Sequence, residues 1–260
     1  MPMSISAEFR FASTSDEPAV RQLLAACGLP SADISMERQD FILAVSEGRI
    51  IGCAALEPYG DAALLRSFAV VAGQRGQGVG AGLFDRVVAR AALRGARTAY
   101  LLTTTAERYF ARKGFEKVER GAVPAALAAS AEFRTLCPAT AVCMRRRLDG
   151  DARHFTADVL HLRPDVPGAS MWAVALERTM LTYFEIEPRS RFETHSHASE
   201  QITMVLEGEL FFEVAGGAEV LVRASEVIAI PANAPHAAWT GERPARAVDA
   251  WSPVRPDFIR

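Results

Sequence analysis

The stretch from Ala63 to Gly80, ALLRSFAVVAGQRGQGVG, constrains this chain more than any other. Leu64 to Val71 is an apolar run that reads as a buried strand. It breaks at Gly73 and passes through Gly76, Gly78 and Gly80, after which Val79, Leu83 and Val87 recur every fourth residue, with Phe84 and Val88 beside them. That spacing predicts a helix that starts within the glycines. A strand that empties through glycines into a helix N-terminus is built to meet an anion, because unpaired amides and the positive end of the dipole point at the turn and no Cβ blocks the approach. A P-loop would need Lys-Ser/Thr after the last glycine, and Ala81-Gly82 follow instead. A dinucleotide turn could draw on Gly76, Gly78 and Ala81, but the next strand, Thr98 to Thr104, ends without a carboxylate to hold a ribose. A plain tight turn is the remaining alternative.

Length allows two domains of ordinary size in 260 residues. A formal net charge of −2 offers no basic field for nucleic acid or an anionic membrane. Four cysteines (Cys27, Cys53, Cys137, Cys143) without a C-x-x-C pair read as reduced thiols. With no basic-then-apolar leader and no span-length apolar run, the expectation is a cytoplasmic protein.

Taken in order, Phe9 and Phe11 alternate as a first strand, and Ser15-Asp16 with Pro18 start a helix that Gly28 and Pro30 end. Phe41 to Val45 and Ile50 to Leu56 read as a hairpin. After the glycine loop and its helix come a strand at Thr98 to Thr104, a helix at Ala106 to Lys113, a strand at Phe115 to Glu119, a helix over 124–136 and a last strand around Ala139 to Met144. The basic run Arg145-Arg146-Arg147, a solvated strand edge, marks the boundary.

Glycine loop and element order together resemble the GNAT superfamily of acyl-CoA N-acyltransferases over residues 5–147. The Gln/Arg-x-x-Gly-x-Gly/Ala pattern is met by Arg75, Gly78 and Gly80, with Gln74 before them. The resemblance implies a mixed central sheet flanked by helices and direct attack of a neutral amine on acetyl-CoA. It implies cofactor contacts from Phe68, Ala69, Val70, Gln74, Arg75, Gly76, Gln77, Gly78, Val79, Gly80, Thr104 and Phe110. The family's general-acid tyrosine falls at Phe110 here, and Tyr109 lies one place earlier, about 100° round the helix. Tyr109 is the expected acid and Glu57 the expected base, each weighed against an ordinary structural role; Tyr59 and Arg66 are candidate substrate contacts. Leu65-Arg66-Ser67, Thr103-Thr104-Thr105-Ala106, Phe110 to Phe115 and Ser130-x-Glu132-Phe133 are similar to an arsenic-resistance branch whose members acetylate toxic amino-acid analogues. That likeness implies an arginine, Arg66 or Arg75, on an acidic substrate head.

From about residue 155 the texture changes to short, evenly spaced apolar runs, including Thr179 to Glu187, Gln201 to Glu207, Glu209 to Val214, Ala218 to Val222 and Val227 to Ile230, which argue an all-β barrel or jelly roll. His195-Ser-His197 puts two imidazoles on one strand face, and His236 on a later strand can meet them. The pattern resembles a cupin, with Gln201 in the acid's place, Gly208 seven residues on, and Pro231, Asn233 and His236 as the second motif. His195, His197, Gln201 and His236 are therefore the expected ligands of a divalent metal such as Zn, Mn, Fe or Ni.

The domains are expected at 1–148 (GNAT) and 149–260 (cupin jelly-roll barrel), with a linker of about 149–168. The leading reading is an acetyl-CoA-dependent N-acetyltransferase of a small-molecule amine, fused to a metal-binding cupin of sensing or auxiliary role. The alternatives are a ligand-sensing regulator that binds acyl-CoA without turnover, and a metal-dependent cupin isomerase or dioxygenase as the main activity. No nucleic acid or membrane partner is expected, and jelly-roll edges that pair between subunits would give a homodimer.

Overall fold

The computed structural model describes residues 7–150, 152–214 and 217–259. The chain divides between Val159 and Leu160 into two compact units.

In the first unit the elements are β1 (Glu8–Phe11), α1 (Glu17–Ala26), β2 (Asp40–Ser46), β3 (Arg49–Tyr59), β4 (Ala62–Val70), α2 (Val79–Leu93), β5 (Thr98–Thr103), α3 (Glu107–Arg112), β6 (Glu116–Lys117), α4 (Ala125–Ala128) and β7 (Val142–Arg147). The strands form one seven-stranded sheet in the order β1-β2-β3-β4-β5-β7-β6. Alternation along each strand decides which helix it meets. On β2, Ile42 and Ala44 join Leu56, Leu65 and the α2 residues Val79, Leu83, Phe84 and Val87. Phe41 and Leu43 turn to the other face, against Val20, Leu23 and Leu24 of α1. This mixed sheet with helices on both faces is the GNAT fold.

All pairings in that sheet are antiparallel except β4 with β5, and that pair holds only over Ala62–Leu64 and Thr98–Tyr100. Beyond Leu64 the two strands part. A register shift between β3 and β4 sits where Ser67 takes a positive φ of 56°, a conformation costing roughly 1–3 kcal/mol for a non-glycine residue. The bulge turns the second half of β4 away from β5, and the gap between the strands becomes the cleft described below.

Two expectations change here. The alanine-rich segment does not form one helix over 124–136. It breaks into α4 and a single wide turn at Glu132–Leu136, because the Ser130 hydroxyl accepts the Phe133 amide at 3.3 Å and starts a new turn that buries Glu132 and Phe133. The strand expected at Phe115 to Glu119 shrinks to Glu116–Lys117, since Phe115 is drawn into the aromatic core.

The second unit holds β8 (Arg163–Pro164), β9 (Ala169–Ala175), β10 (Met180–Ile186), β11 (Arg191–His195), β12 (Glu200–Glu207), β13 (Glu209–Val214), β14 (Ala218–Arg223), β15 (Val227–Ile230), β16 (His236–Trp239) and β17 (Ala245–Ser252). They form two antiparallel sheets, β15-β12-β17-β10-β9-β8 and β11-β16-β13-β14. Met171, Phe184, Val205 and Ala247 from the first face Leu210, Phe212, Val222 and Ala238 from the second. This is the cupin jelly roll.

Candidate functional sites

The first site is the gap between β4 and β5, a cleft of about 450 Å³. Phe68, Ala69 and Val70 form one wall, Thr103, Thr104 and Thr105 the other, with Gly80, Tyr109 and Phe110 at one end and Arg66, Glu132 and Cys137 among the remaining residues. Residues 71–78 connect β4 to α2, whose second residue, Gly80, lines the cleft. Gly76 and Gly78 have φ of 77° and 85°, and Gly78 is the residue from which α2 starts. The amides of Val79, Gly80 and Ala81 in the first turn have no intrahelical carbonyl to bond. A Cβ at Gly73, Gly76 or Gly78 would meet nothing within 4 Å, so the glycines leave the space beside the loop open. Arg75 folds back, its Nε donating to the Val70 carbonyl at 3.0 Å, and Gln77 Nε2 donates to the Gly73 carbonyl at 3.0 Å. Gln74 keeps a buried, unpaired Oε1.

Phe110 and Tyr109 have different surroundings, as one residue on a helix dictates. Phe110 is buried edge-on against Phe68 and Phe115. Tyr109 is half-buried, and its hydroxyl donates to the Gly80 carbonyl at 3.2 Å, beside the start of α2. Burial first, and the nearby Asp85 carboxylate second, raise its pKa above the ordinary tyrosine value.

At the other end of the cleft the expected substrate contacts resolve differently. Arg66 is buried and bound by three carboxylates. Its Nη2 lies 2.7 Å from Asp33 Oδ1 and 2.9 Å from Glu132 Oε2, and Nη1 lies 3.4 Å from Glu57 Oε2. The Arg66 Nη groups are spent on the chain's own carboxylates and only its Nε lacks a partner, whereas Arg75 is fastened at the loop through its Nε. Glu57 also accepts from Tyr59 Oη at 2.6 Å and from Gln39 Nε2 at 3.1 Å, so both its oxygens are engaged. Burial and Glu57 together raise the Tyr59 pKa. Glu132 lines the cleft, whereas Glu57 and Tyr59 stand behind it. Cys137 donates its thiol hydrogen to Glu132 Oε1 at 3.1 Å, and burial with that bond pushes its pKa up to about 12, so it is an unreactive thiol. Asp33 escaped the sequence reading because it sits in a loop with no pattern, and Glu132 entered it only within the Ser130-x-Glu132-Phe133 motif, without a role at the site.

The second site lies in the jelly roll. β11 ends at His195, so His195 and His197 do not share a strand as expected. A register shift after Phe192 and the turn that follows bring them together instead. His236, on β16, pairs with His195 across the sheet. Ring centroids of His236 lie 4.4 Å from His195 and 5.0 Å from His197, and one ligand atom from each imidazole falls within 4.8 Å of the others. Each Nδ1 faces a backbone carbonyl (Glu193 at 2.8 Å, Ser199 at 2.7 Å, Ala234 at 2.8 Å), and a carbonyl can only accept. Nδ1 therefore carries the proton in all three, and three Nε2 lone pairs are left. His236 Nε2 is buried without a partner. His197 Nε2 faces Gln201 Oε1 at 3.1 Å, while the Gln201 amide NH₂ donates to Thr203 Oγ1 at 2.9 Å. Two lone-pair bearers pointed at each other and a third orphaned nearby suit a cation. Burial lowers the pKa of His197 and His236, which favours the neutral, ligating form. The set fits a borderline divalent metal.

Residues 37–117 match the family model described as Acetyltransferase (GNAT) domain, and residues 182–251 match that described as Cupin domain. An amino-acid acetyltransferase from Ectopseudomonas mendocina (strain ymp) is 37% identical over 97 residues, 36% of this chain and 22% of the relative. The chain thus spans less than a quarter of that relative's length. A structure of N-acetylglutamate synthase from Neisseria gonorrhoeae complexed with coenzyme A and L-arginine is 21% identical with a TM-score of 0.46, covering 54% of this chain and 33% of that one. KdgF from Halomonas sp. is 23% identical with a TM-score of 0.38, covering 40% of this chain and 97% of that one.

Proposed function

We propose that the first unit is an acetyl-CoA-dependent N-acetyltransferase whose acceptor is the α-amino group of an amino acid or amino-acid analogue, and that the second unit holds a divalent metal at His195, His197, Gln201 and His236. One observation carries the first part. The cleft opened by the parting of β4 and β5 runs to the unpaired amides of a helix that starts at a left-handed glycine. Amides over 74–80 take the diphosphate of the cofactor, and the unpaired edge of Phe68 to Val70 takes its amide arm. When bound, acetyl-CoA supplies an acyl group on a good leaving thiolate. The chain's own residues supply the rest. Three carboxylates around one guanidinium leave an excess of negative charge at the acceptor end, which draws an ammonium and disfavours a second acidic group. Glu132, on the cleft wall, takes the proton that the ammonium must lose, while Arg66 with Asp33 and Glu57 fixes its position. Attack forms the C–N bond and breaks the C–S bond; Tyr109 Oη gives a proton to the departing sulfur and regains one from the nitrogen that has become positively charged by attacking, so amine and thioester become amide and free thiol.

The amino-acid acetyltransferase named above supports an amino-acid acceptor. The narrower class of toxic amino-acid analogues rests on the sequence likeness alone. Where the metal binds, it supplies a Lewis-acid centre, and Gln201 in the place of a carboxylate leaves it with more net positive charge.

Calorimetry with acetyl-CoA on the intact protein tests the first reading. Wild type should bind, and Gly78→Val, which forces a branched side chain to φ of 85° and into the open space of the loop, should weaken binding tenfold or more. Unchanged affinity overturns it. Thiol release with a panel of neutral, basic and acidic amino acids and their analogues then separates turnover from binding. Binding with no release above the uncatalysed rate leaves the regulator reading in its place.

A further inference from the structure

The first unit has a second cavity, of about 340 Å³, that shares no lining residue with the cofactor cleft. Phe84 and Val88 of α2 and Leu148, just past β7, give it an apolar floor. Phe84 stands between the two spaces. It lines this cavity, and its ring lies edge-on to Tyr109, a cleft residue, with centroids 6.3 Å apart. The polar lining comes from α2 (Asp85, Arg86), from β7 (Arg146) and from the segment that follows it (Arg153, His154).

Three arginines therefore share this lining with one carboxylate, and the three are not equivalent. Arg86 is held by Asp158 and by the Gly82 carbonyl, the latter at 3.3 Å, and lies over the Phe9 ring. Arg146 donates to the Lys113 carbonyl at 3.1 Å. Asp85 is taken by Lys113 Nζ at 3.0 Å, so it is not left over for another cation. Arg153 differs from the other two: its Nε is buried and has no hydrogen-bond partner. A guanidinium N–H withdrawn from water without an acceptor is costly, and two further guanidinium groups around the same cavity add repulsion. An anion in the cavity relieves both.

We propose that this cavity binds a small organic anion with an apolar body, its acid group against Arg153 and its body on Phe84, Val88 and Leu148. The cations set the sign of the ligand and the floor sets the rest. Bare phosphate would meet the arginines but leave the apolar residues against water, and a neutral apolar compound would leave the Arg153 Nε unmet. The volume is near the lower end of the range for small-molecule pockets, which suits one compact molecule. The proposal does not depend on the acetyltransferase reading, since none of these residues belongs to the cleft.

The probes are 3-phenylpropionate, its neutral counterpart 3-phenylpropionamide, and inorganic phosphate. Each is titrated by calorimetry into the intact protein, treated with a chelator and saturated with coenzyme A. No metal is then present to bind the acid, and the cofactor end of the cleft is filled. 3-Phenylpropionate should bind at least tenfold more tightly than the amide or phosphate. Arg153→Met, which keeps the stem and removes the charge, should fold, keep its coenzyme A affinity and bind 3-phenylpropionate at least tenfold more weakly. Arg153→Lys, which keeps the charge but not the planar fork, should lose less. Val88→Asp, which sets a carboxylate on the floor, should weaken the acid without touching Arg153. No binding by wild type, equal affinity for acid and amide, phosphate as tight as the organic acid, or full affinity in Arg153→Met overturns the proposal.

Discussion

Arg66 carries the most at the scale of single residues. Its guanidinium has 2% of its side chain exposed and neutralises Asp33, Glu57 and Glu132, so it is bound to three acids that would otherwise repel one another. Arg66→Met should cost about 3–5 kcal/mol, because breaking a buried pair strands the remaining charges. Urea unfolding would show the loss as a lower midpoint. Tyr109 makes a different prediction. Burial penalises the phenolate, so a raised pKa keeps the hydroxyl protonated through neutral and mildly basic pH, and the rate should show no basic limb from this group below about pH 10. Tyr109→Phe should lower kcat by about 10²–10⁴-fold with little change in KM, measured by thiol release.

Among elements, the single-residue connection by which the chain leaves β12 in one sheet for β13 in the other shows how little room a turn can leave. Gly208 sits there at φ of 75°, and a Cβ would lie 2.3 Å from the Pro244 carbonyl oxygen, which is backbone and cannot swing aside. Gly208→Ala should lose about 1–3 kcal/mol from crowding and roughly 1–2 kcal/mol more from the left-handed conformation, seen as a lower melting temperature of the jelly roll. α2 meets a related constraint on its other side. A Cβ at Gly82 would come 2.4 Å from the Phe9 ring, which Arg86 covers from above at 3.8 Å. That glycine lets α2 approach β1, a packing role distinct from the anion-facing role of Gly76 and Gly78.

Considered as a whole molecule, the chain keeps the buried clusters of its first unit apart from that of its second, and each bound group should act on its own unit. Removing metal with a chelator should lower the calorimetric transition of residues 160–260, by up to about 2.7 kcal/mol of stability if the metal had been present at a hundred times its Kd. Unchanged unfolding after chelation, with no metal released, would count against the histidine site. No helix among the described residues is long and apolar enough to cross a membrane.

Local pattern was enough for the glycine loop, the order of strands and helices, and the three histidines. The first two are written in near neighbours, as backbone freedom at Gly76 and Gly78 and periodicity in Val79, Leu83 and Val87; the histidines could be named from the motif, but a bulge and a turn rather than a shared strand bring His195 and His197 together. Other features were decided only in three dimensions. The Arg66 cluster joins residues 33, 57, 66 and 132, and the cleft exists because a bulge at Ser67 parts β4 from β5. Sequence fixes what each residue can do with its near neighbours; which distant charges meet, and where a strand lets go of its partner, depends on packing energies summed over the whole unit.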